Sequence, residues 1–551
     1  MKNQQFVIQM LIWLSISTLG SAAIITVDNN GPADYDTIQE AVNAAEVGDI
    51  IEVAPGRYFE NVDFHGKAIT VTSTNPLDSN IVSTTIIDAN RNDIAVSFHT
   101  DEDPNSIIDG FTITNGLAKY GAGICCWKGC SPTIKNCVIK DNESGSFTGF
   151  RGGAGIYCLD FSSPHIIQCT ISSNTTYSGG GGVCCINNSN PIIDDCVLSN
   201  NTATLRGGGI YSENNSNPTL INSTIISNTA QYGGGVCCYK NSSVTIDNCD
   251  ITNNNSTSGN GGGLNCQTDS TAVIRDSIIS SNNANWQGGG LQCETNSSLT
   301  VIACLIKNNT AETGGGLYCG VDSTCYLRCC IIADNSAYEY GGGLSFENSY
   351  NSVITNCTIS NNYAFYGGGG IDCGENTFPL ITNNIICNST SGYGIYAFYS
   401  DPIITYNNVW GNFDGEYGGW AWPVTGDISV DPLFSDNNYH LHYNSACINA
   451  GDPTYTIEPN EVDIDDQPRI RLGRVDMGAD EAGSNPADFN ESGHVDLIDY
   501  QFIAAAWLSQ PHQNHWNPVC DIAAPPDQII NLRDLVAICN QWLWQALWID
   551  Y

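Results

Sequence analysis

Through the middle of the chain apolar and polar positions alternate in short pieces, as in Ile134-x-x-Cys137-x-Ile139 and Ile246-x-x-Cys249-x-Ile251. Alternation with period two predicts strands. Glycine triplets and paired asparagines cut the pieces and would break any helix. The triplets are Gly207-Gly208-Gly209, Gly233-Gly234-Gly235, Gly261-Gly262-Gly263, Gly288-Gly289-Gly290, Gly314-Gly315-Gly316 and Gly341-Gly342-Gly343, at steps of 26, 28, 27, 26 and 27 residues. Looser copies stand at Gly121, Gly153, Gly180 and Gly368. An apolar residue follows each run, among them Ile124, Ile156, Val183, Ile210, Val236, Leu264, Leu291, Leu317, Leu344 and Ile371. Asn200-Asn201, Asn253-Asn254, Asn308-Asn309 and Asn361-Asn362 close their units.

A fixed period of this length describes one supersecondary unit stacked many times. Two or three strands per unit, with equivalent positions repeating, predict an all-β, right-handed parallel β-helix solenoid in which each strand pairs with its counterpart one turn later. About eleven turns are expected from the repeats, stacked at roughly 4.8 Å. Asparagine suits a left-handed corner. The glycines either let the next corner fold tightly or keep a surface flat for a ligand.

Cysteine occupies two columns: Cys126, Cys158, Cys185, Cys238, Cys266, Cys293, Cys319 and Cys373, and then Cys137, Cys169, Cys196, Cys249, Cys304, Cys330 and Cys357. Ser212 and Phe346 interrupt the first column, and Ser223 and Ser277 the second, without regard to pairing. The 25 cysteines therefore read as mostly unpaired internal ladders, with bridges left open at doublets such as Cys184-Cys185. A formal net charge of -39, with only 18 Lys and Arg, excludes nucleic-acid or anionic-membrane binding by charge and favours calcium as a partner.

The chain divides into five stretches. Residues 1–23 read as a signal peptide, with Lys2, an apolar run from Phe6 to Leu19, and Ser21-Ala22-Ala23 as the cleavage site. This predicts a secreted or cell-surface protein with no membrane span in the mature chain. Residues 24–120 hold an N-terminal cap and the first turns, 121–415 the glycine-rich repeats, 416–483 a C-terminal cap and 484–551 a helical tail. The cap contains an amphipathic helix from Tyr35 to Ala45, the strand Ile50-Ile51-Glu52-Val53 and Pro55-Gly56-Arg57-Tyr58. It resembles the first turn of pectin-lyase-like β-helix proteins. The repeats also resemble those of polymorphic outer-membrane proteins, as in Asn309-Thr310-Ala311 before Gly314. Asp465 and Asp466 lie in a segment similar to those that follow secreted β-helices; a capping or calcium role is expected of them rather than catalysis.

In the tail, Asp488, Asn490, Ser492, His494, Asp496 and Asp499 stand at the ligand positions of a calcium loop, with Gly493 at its sharp turn. A second copy offers Asp521, Asp527, Ile529 (through its carbonyl), Asn531 and Asp534, but carries two extra residues and Pro525-Pro526. Helices are expected from Tyr500 to Leu508 and from Leu535 to Leu543. Two such loop-helix units resemble a dockerin domain. The resemblance implies Ca2+ as cofactor and a cohesin-like protein as partner.

The resemblance to pectin-lyase-like proteins implies polysaccharide chemistry, yet neither the clustered Asp motifs of polygalacturonases nor the Gln-and-Asp pattern of pectinesterases occurs here. Arg151 and Arg206, each preceding a glycine run, form the most site-like basic pair. Aromatic residues stand at the same corner: Trp286, Tyr340, Tyr366 and Tyr393, the three tyrosines on consecutive turns. They offer either an exposed strip for sugar faces or a shield for the glycines. Three functions stay open: a docked polysaccharide- or surface-polymer-binding protein, a polysaccharide lyase or glycoside hydrolase, and a structural or adhesive rod.

Overall fold

The computed structural model describes residues 22–145, 152–459, 461–470, 473–482, 487, 495, 497–511, 517, 520, 522 and 528–540. Residues 1–21 of the expected leader and Arg151 lie outside them. No described helix is long and apolar enough to cross a membrane.

The chain winds through three parallel sheets. Sheet A has 15 strands from Ile24–Val27 to Ile403–Thr405, sheet B has 14 from Gly56–Tyr58 to Asn408–Trp410, and sheet C takes short strands from both sides of the glycine corner, 23 in all. One sheet-B strand per turn makes 14 coils, more than the eleven expected, because the N-terminal segment before the glycine repeats coils too.

One coil shows why the sequence folds this way. Strand Ile192–Asp194 lies in sheet A, Asp195 turns left-handed (φ 51°), and Val197–Ser199 enters sheet B. Asn200 turns again (φ 54°), Thr202–Ala203 opens sheet C, and Ile210–Glu213 completes it after the glycines. Ile193, Leu198 and Ile210 point inward and are fully buried, each contributing about 1.5–3 kcal/mol. Gly207 has φ 60°, and a Cβ on Gly208 or Gly209 would meet a carbonyl of the next coil at 2.5 or 2.8 Å. The corner therefore needs glycine for close stacking.

Paired asparagines divide the work. The first, such as Asn200, takes the left-handed turn, as expected. The residue after this turn is a buried asparagine, whether or not another asparagine precedes it: Asn142, Asn174, Asn201, Asn228, Asn254, Asn282, Asn309, Asn335 and Asn362 form a ladder. Each side-chain amide donates to the next Oδ1 at 3.0–3.1 Å, which satisfies polar groups in the rod's interior.

All 25 cysteines are free, and only Cys539 is exposed. The first column stacks in register from Cys126 through Cys158 to Cys185 and onward. In the second, Cys196 Sγ donates to Asp194 O at 3.2 Å, and Ser223 Oγ donates to Ile221 O at 2.8 Å. The two residue types do the same job, which explains the substitutions. Cys184 and Cys185 cannot bridge, because neighbours on a strand face opposite sides; Cys185 joins the core and Cys184 the outer face of sheet C.

The ends differ from expectation in one respect. Helix α1 (Ile38–Ala44), capped by Thr37, covers the first coil; a short helix α2 (Ser79–Thr84) follows. The segment expected as the C-terminal cap lies along the side of the rod. It folds back along sheet B, packing Leu441, Cys447 and Met477 on Ile385 and Cys387, and Ala479 on Ile331 and Ala333. Arg328 fastens it to Glu458 at 2.7 Å. The reason is visible in the sequence: Ile331, Ala333, Ile385 and Cys387 make the outer face of these last sheet-B strands apolar, and such a face must be covered. Asp465 pairs with His440 at 2.8 Å, and Asp463 accepts the backbone amides of Asp465 and Gln467.

Candidate functional site

Two columns of side chains run along the outer face of sheet C. The inner one is Cys125, Tyr157, Cys184, Tyr211, Cys237, Asn265, Gln292, Tyr318, Ser345, Asp372 and Tyr396, in register from coil to coil. The outer one includes Ile186, Glu213, Tyr239, Gln267 and Glu294. The residues before the glycines overhang the inner column, so a groove runs along the rod between corner and outer column.

The groove widens to a cleft of about 520 Å³. Trp286, Gln287, Glu312, Thr313, Glu339 and Tyr340 form the corner wall; Glu347, Glu375 and Phe398 form the other; Ser345, Asp372 and Tyr396 form the floor. Trp286 is 57% exposed and Tyr340 42%, so both rings offer faces to a ligand.

Burial raises two carboxyls of the groove. Asp372 is buried at the floor, and burial pushes its carboxyl up to about 7; the Gly368 amide, donating to Oδ1 at 3.1 Å, works against the shift, and the Glu347 charge adds to it. Glu347 accepts the Tyr318 hydroxyl at 2.9 Å. Glu294, two coils along the groove from Glu347, is also raised, first by burial, although it accepts from Gln292 Nε2 at 2.7 Å. A carboxyl that keeps its proton up to about 7 can donate a hydrogen bond as well as accept one.

Of the expected aromatic residues, Trp286 and Tyr340 line this cleft. Tyr366 pairs with Tyr340 in register, the rings 5.9 Å apart. Tyr393 does not continue the strip. Its register partner is Gly368, and it lies against Tyr396 at 5.7 Å. The coil from Ile371 to Ile395 is only 24 residues long, and the long strand Tyr363–Cys373 runs straight through its glycines, so the corner residue shifts. The acidic wall was missed in the sequence; its signal is the residue three places after each glycine run's apolar follower, as Glu294 after Leu291 and Glu347 after Leu344.

In the tail, Asp488, Asn490, Ser492, His494, Asp496, Asp521 and Asp527 lie outside the described residues. Helices α3 (Leu497–Ala506) and α4 (Leu532–Asn540) begin three residues earlier than expected and take Asp499 and Asp534 into their first turns, where the helix dipole favours an acid. Both aspartates are fully buried. Asn531 donates its backbone amide to Asp534 at 2.9 Å and its side chain to the Ile529 carbonyl at 2.9 Å. The two units are joined by Leu508 N to Ile530 O and Ile530 N to Ser509 O. Asp499, Ile529, Asn531 and Asp534 are of the oxygen-donor type that suits calcium.

No curated protein matches the sequence. Among solved structures, pectate lyase Pel9A is similar at 13% identity and a TM-score of 0.33, over 85% of this chain and 98% of that one. A pectin methylesterase from carrot is similar at 13% and 0.19, over 60% and 83%. The tailspike protein gp49 of the Acinetobacter baumannii bacteriophage Fri1, a capsular polysaccharide depolymerase, follows at 10% and 0.25, over 74% and 65%. A family model described as right handed beta helix region matches residues 154–332 and 310–462. That match covers more than half of the chain, and its residues up to Gly419 form coils of the three parallel sheets: the protein belongs to the right-handed β-helix family.

Proposed function

We propose that this is a secreted polysaccharide-binding protein, with its saccharide site in the groove of sheet C. The observation that carries the reading is the cleft itself: Trp286, Tyr340 and Phe398 rings face Glu347, Glu375 and Asp372 across about 520 Å³. Aromatic faces take sugar rings, and carboxylates accept from sugar hydroxyls. The acid-rich walls favour uncharged, hydroxyl-rich units at this point. Retention of the protein on immobilised neutral polysaccharides, lost in a Trp286→Ala/Tyr340→Ala double variant, tests the reading; equal retention of both overturns it.

Docking through a calcium-binding, dockerin-like tail is the second part of the proposal, with a cohesin-like protein as its partner. It is supported by the spacing of Asp488, Asn490, Ser492, Asp496 and Asp499 and by the paired helices that follow the two loops. Calorimetry of the full chain with calcium should show binding that falls in an Asp488→Ala/Asp499→Ala variant and less so in Asp521→Ala.

One observation favours a hydrolytic alternative. Asp372, near 7, sits beside the Glu347 charge, and a proton-bearing acid next to a carboxylate is the pairing that glycoside hydrolysis uses. New reducing ends from a neutral polysaccharide, absent with Asp372→Asn, would establish it.

A further inference from the structure

We propose that the groove holds a second subsite, centred on Arg206, that takes the carboxylate or sulfate group of an acidic saccharide. The class of carrier rests on the polysaccharide reading, but the anion preference stands on different residues. Arg206 lies at the glycine corner, bridged through its backbone to Gly179 on one side and Tyr232 on the other. It borders a separate cleft of about 360 Å³ with Tyr211, Glu213, Tyr239 and Lys240.

Three observations converge. The guanidinium lies 4.3 Å from the Tyr239 ring centre and 5.8 Å from that of Tyr232, so stacking fixes its plane. Its Nε is buried and has no hydrogen-bond partner among the described residues, and no described carboxylate lies within salt-bridge distance of it. The nearby cation is spoken for: Lys240 pairs with Glu213 at 2.8 Å. Arg206 is therefore an oriented, unneutralised cation in a cleft, within a chain of net charge -39.

An arginine beside two rings and without a carboxylate partner among the described residues matches a planar carboxylate, or two oxygens of a sulfate, better than any neutral group. A nucleic-acid backbone would be repelled by the rest of the chain. A saccharide acid entering as one substituent meets only the local field. Arg206 lies three coils from the Trp286 corner, about 14 Å along the same face of sheet C. One polymer chain thus reaches both.

The test uses the full-length protein and four oligosaccharides of equal length: an oligomer with a single uronate unit, its methyl ester, a neutral oligomer and its singly sulfated form. Calorimetry should show the uronate or the sulfated oligomer binding at least tenfold more tightly than its uncharged counterpart, and the arm that does so names the group. Arg206→Ala should erase that preference and leave the uncharged affinities within twofold. Arg206→Lys should restore part of it, since charge returns without the stacked plane. Trp286→Ala/Tyr340→Ala should weaken charged and uncharged forms alike, which separates failure of the polysaccharide reading from failure of this one. Equal binding of charged and uncharged forms by the wild type, or a preference unchanged in a folded Arg206→Ala variant, overturns the proposal.

Discussion

Two stretches of one groove share a backbone and differ in what they bury. Under the first, the inner column is Cys125, Tyr157, Cys184, Tyr211 and Cys237, an apolar cluster completed by Ile186. Under the second it is Asn265, Gln292, Tyr318, Ser345 and Asp372, nearly all of it equally buried but polar. The apolar stretch presents Arg206 beside two rings, with Lys240 paired to Glu213; the polar stretch presents a wall of acids, with the Asp372 carboxyl raised by burial to about 7. A repetitive scaffold thus separates the cost of folding from the choice of surface chemistry. The inward ladders are of one kind in both stretches, with single exchanges such as Ser212 and Phe346, and the change from apolar to polar lies at positions facing the groove.

The largest effect should come from removing the buried acid. The Asp372 carboxyl rises from an ordinary 3.8 to about 7 on folding. Its contribution to stability is fully present below the unfolded value near 4 and is lost as pH rises through 7. The difference is worth about 4 kcal/mol at pH 8. Asp372→Asn should match the wild type in thermal midpoint at pH 4 and exceed it at pH 8; identical midpoints at both would show that the floor is open to water.

The shared ladder offers the control. Asn201→Ala, under the apolar stretch, and Asn335→Ala, under the polar one, should each cost about 1–3 kcal/mol in urea unfolding, because each leaves buried partners unsatisfied. A large difference between the two would mean that the frame is not uniform, and the comparison fails.

Smaller effects concern the rings. Trp286→Ala should weaken neutral oligosaccharide binding about tenfold, equivalent to about 1.4 kcal/mol. Tyr393→Ala should change it less than twofold, since that ring is shifted out of line with Tyr366 by the short coil. A tenfold loss in Tyr393→Ala would restore the three-ring strip.

The repeat determined the fold. An apolar follower after every glycine run, cysteine columns patched by serine, and asparagine at the unit's end are local patterns, and a solenoid is built from contacts between neighbouring copies of one local pattern. Thiol ladders followed for the same reason: serine at positions 223 and 277 replaces a hydrogen-bonding side chain, not half of a bridge. The sequence also marked Trp286 and Tyr340 as exposed corner rings, and Asp499 and Asp534 as the last acids of their loops.

The tertiary structure decided what depends on registration across several coils. Glu347, Asp372 and Trp286 come from different coils, and only the stacking places them in one cleft. The 24-residue coil displaces Tyr393, a shift that no single repeat reveals. Burial of Asp372 depends on the overhanging corner, and the C-terminal cap's return along sheet B depends on an apolar outer face assembled from separate strands. Periodicity fixes which way a side chain points; how deeply it lies, and beside what, is set by neighbours one or more coils away.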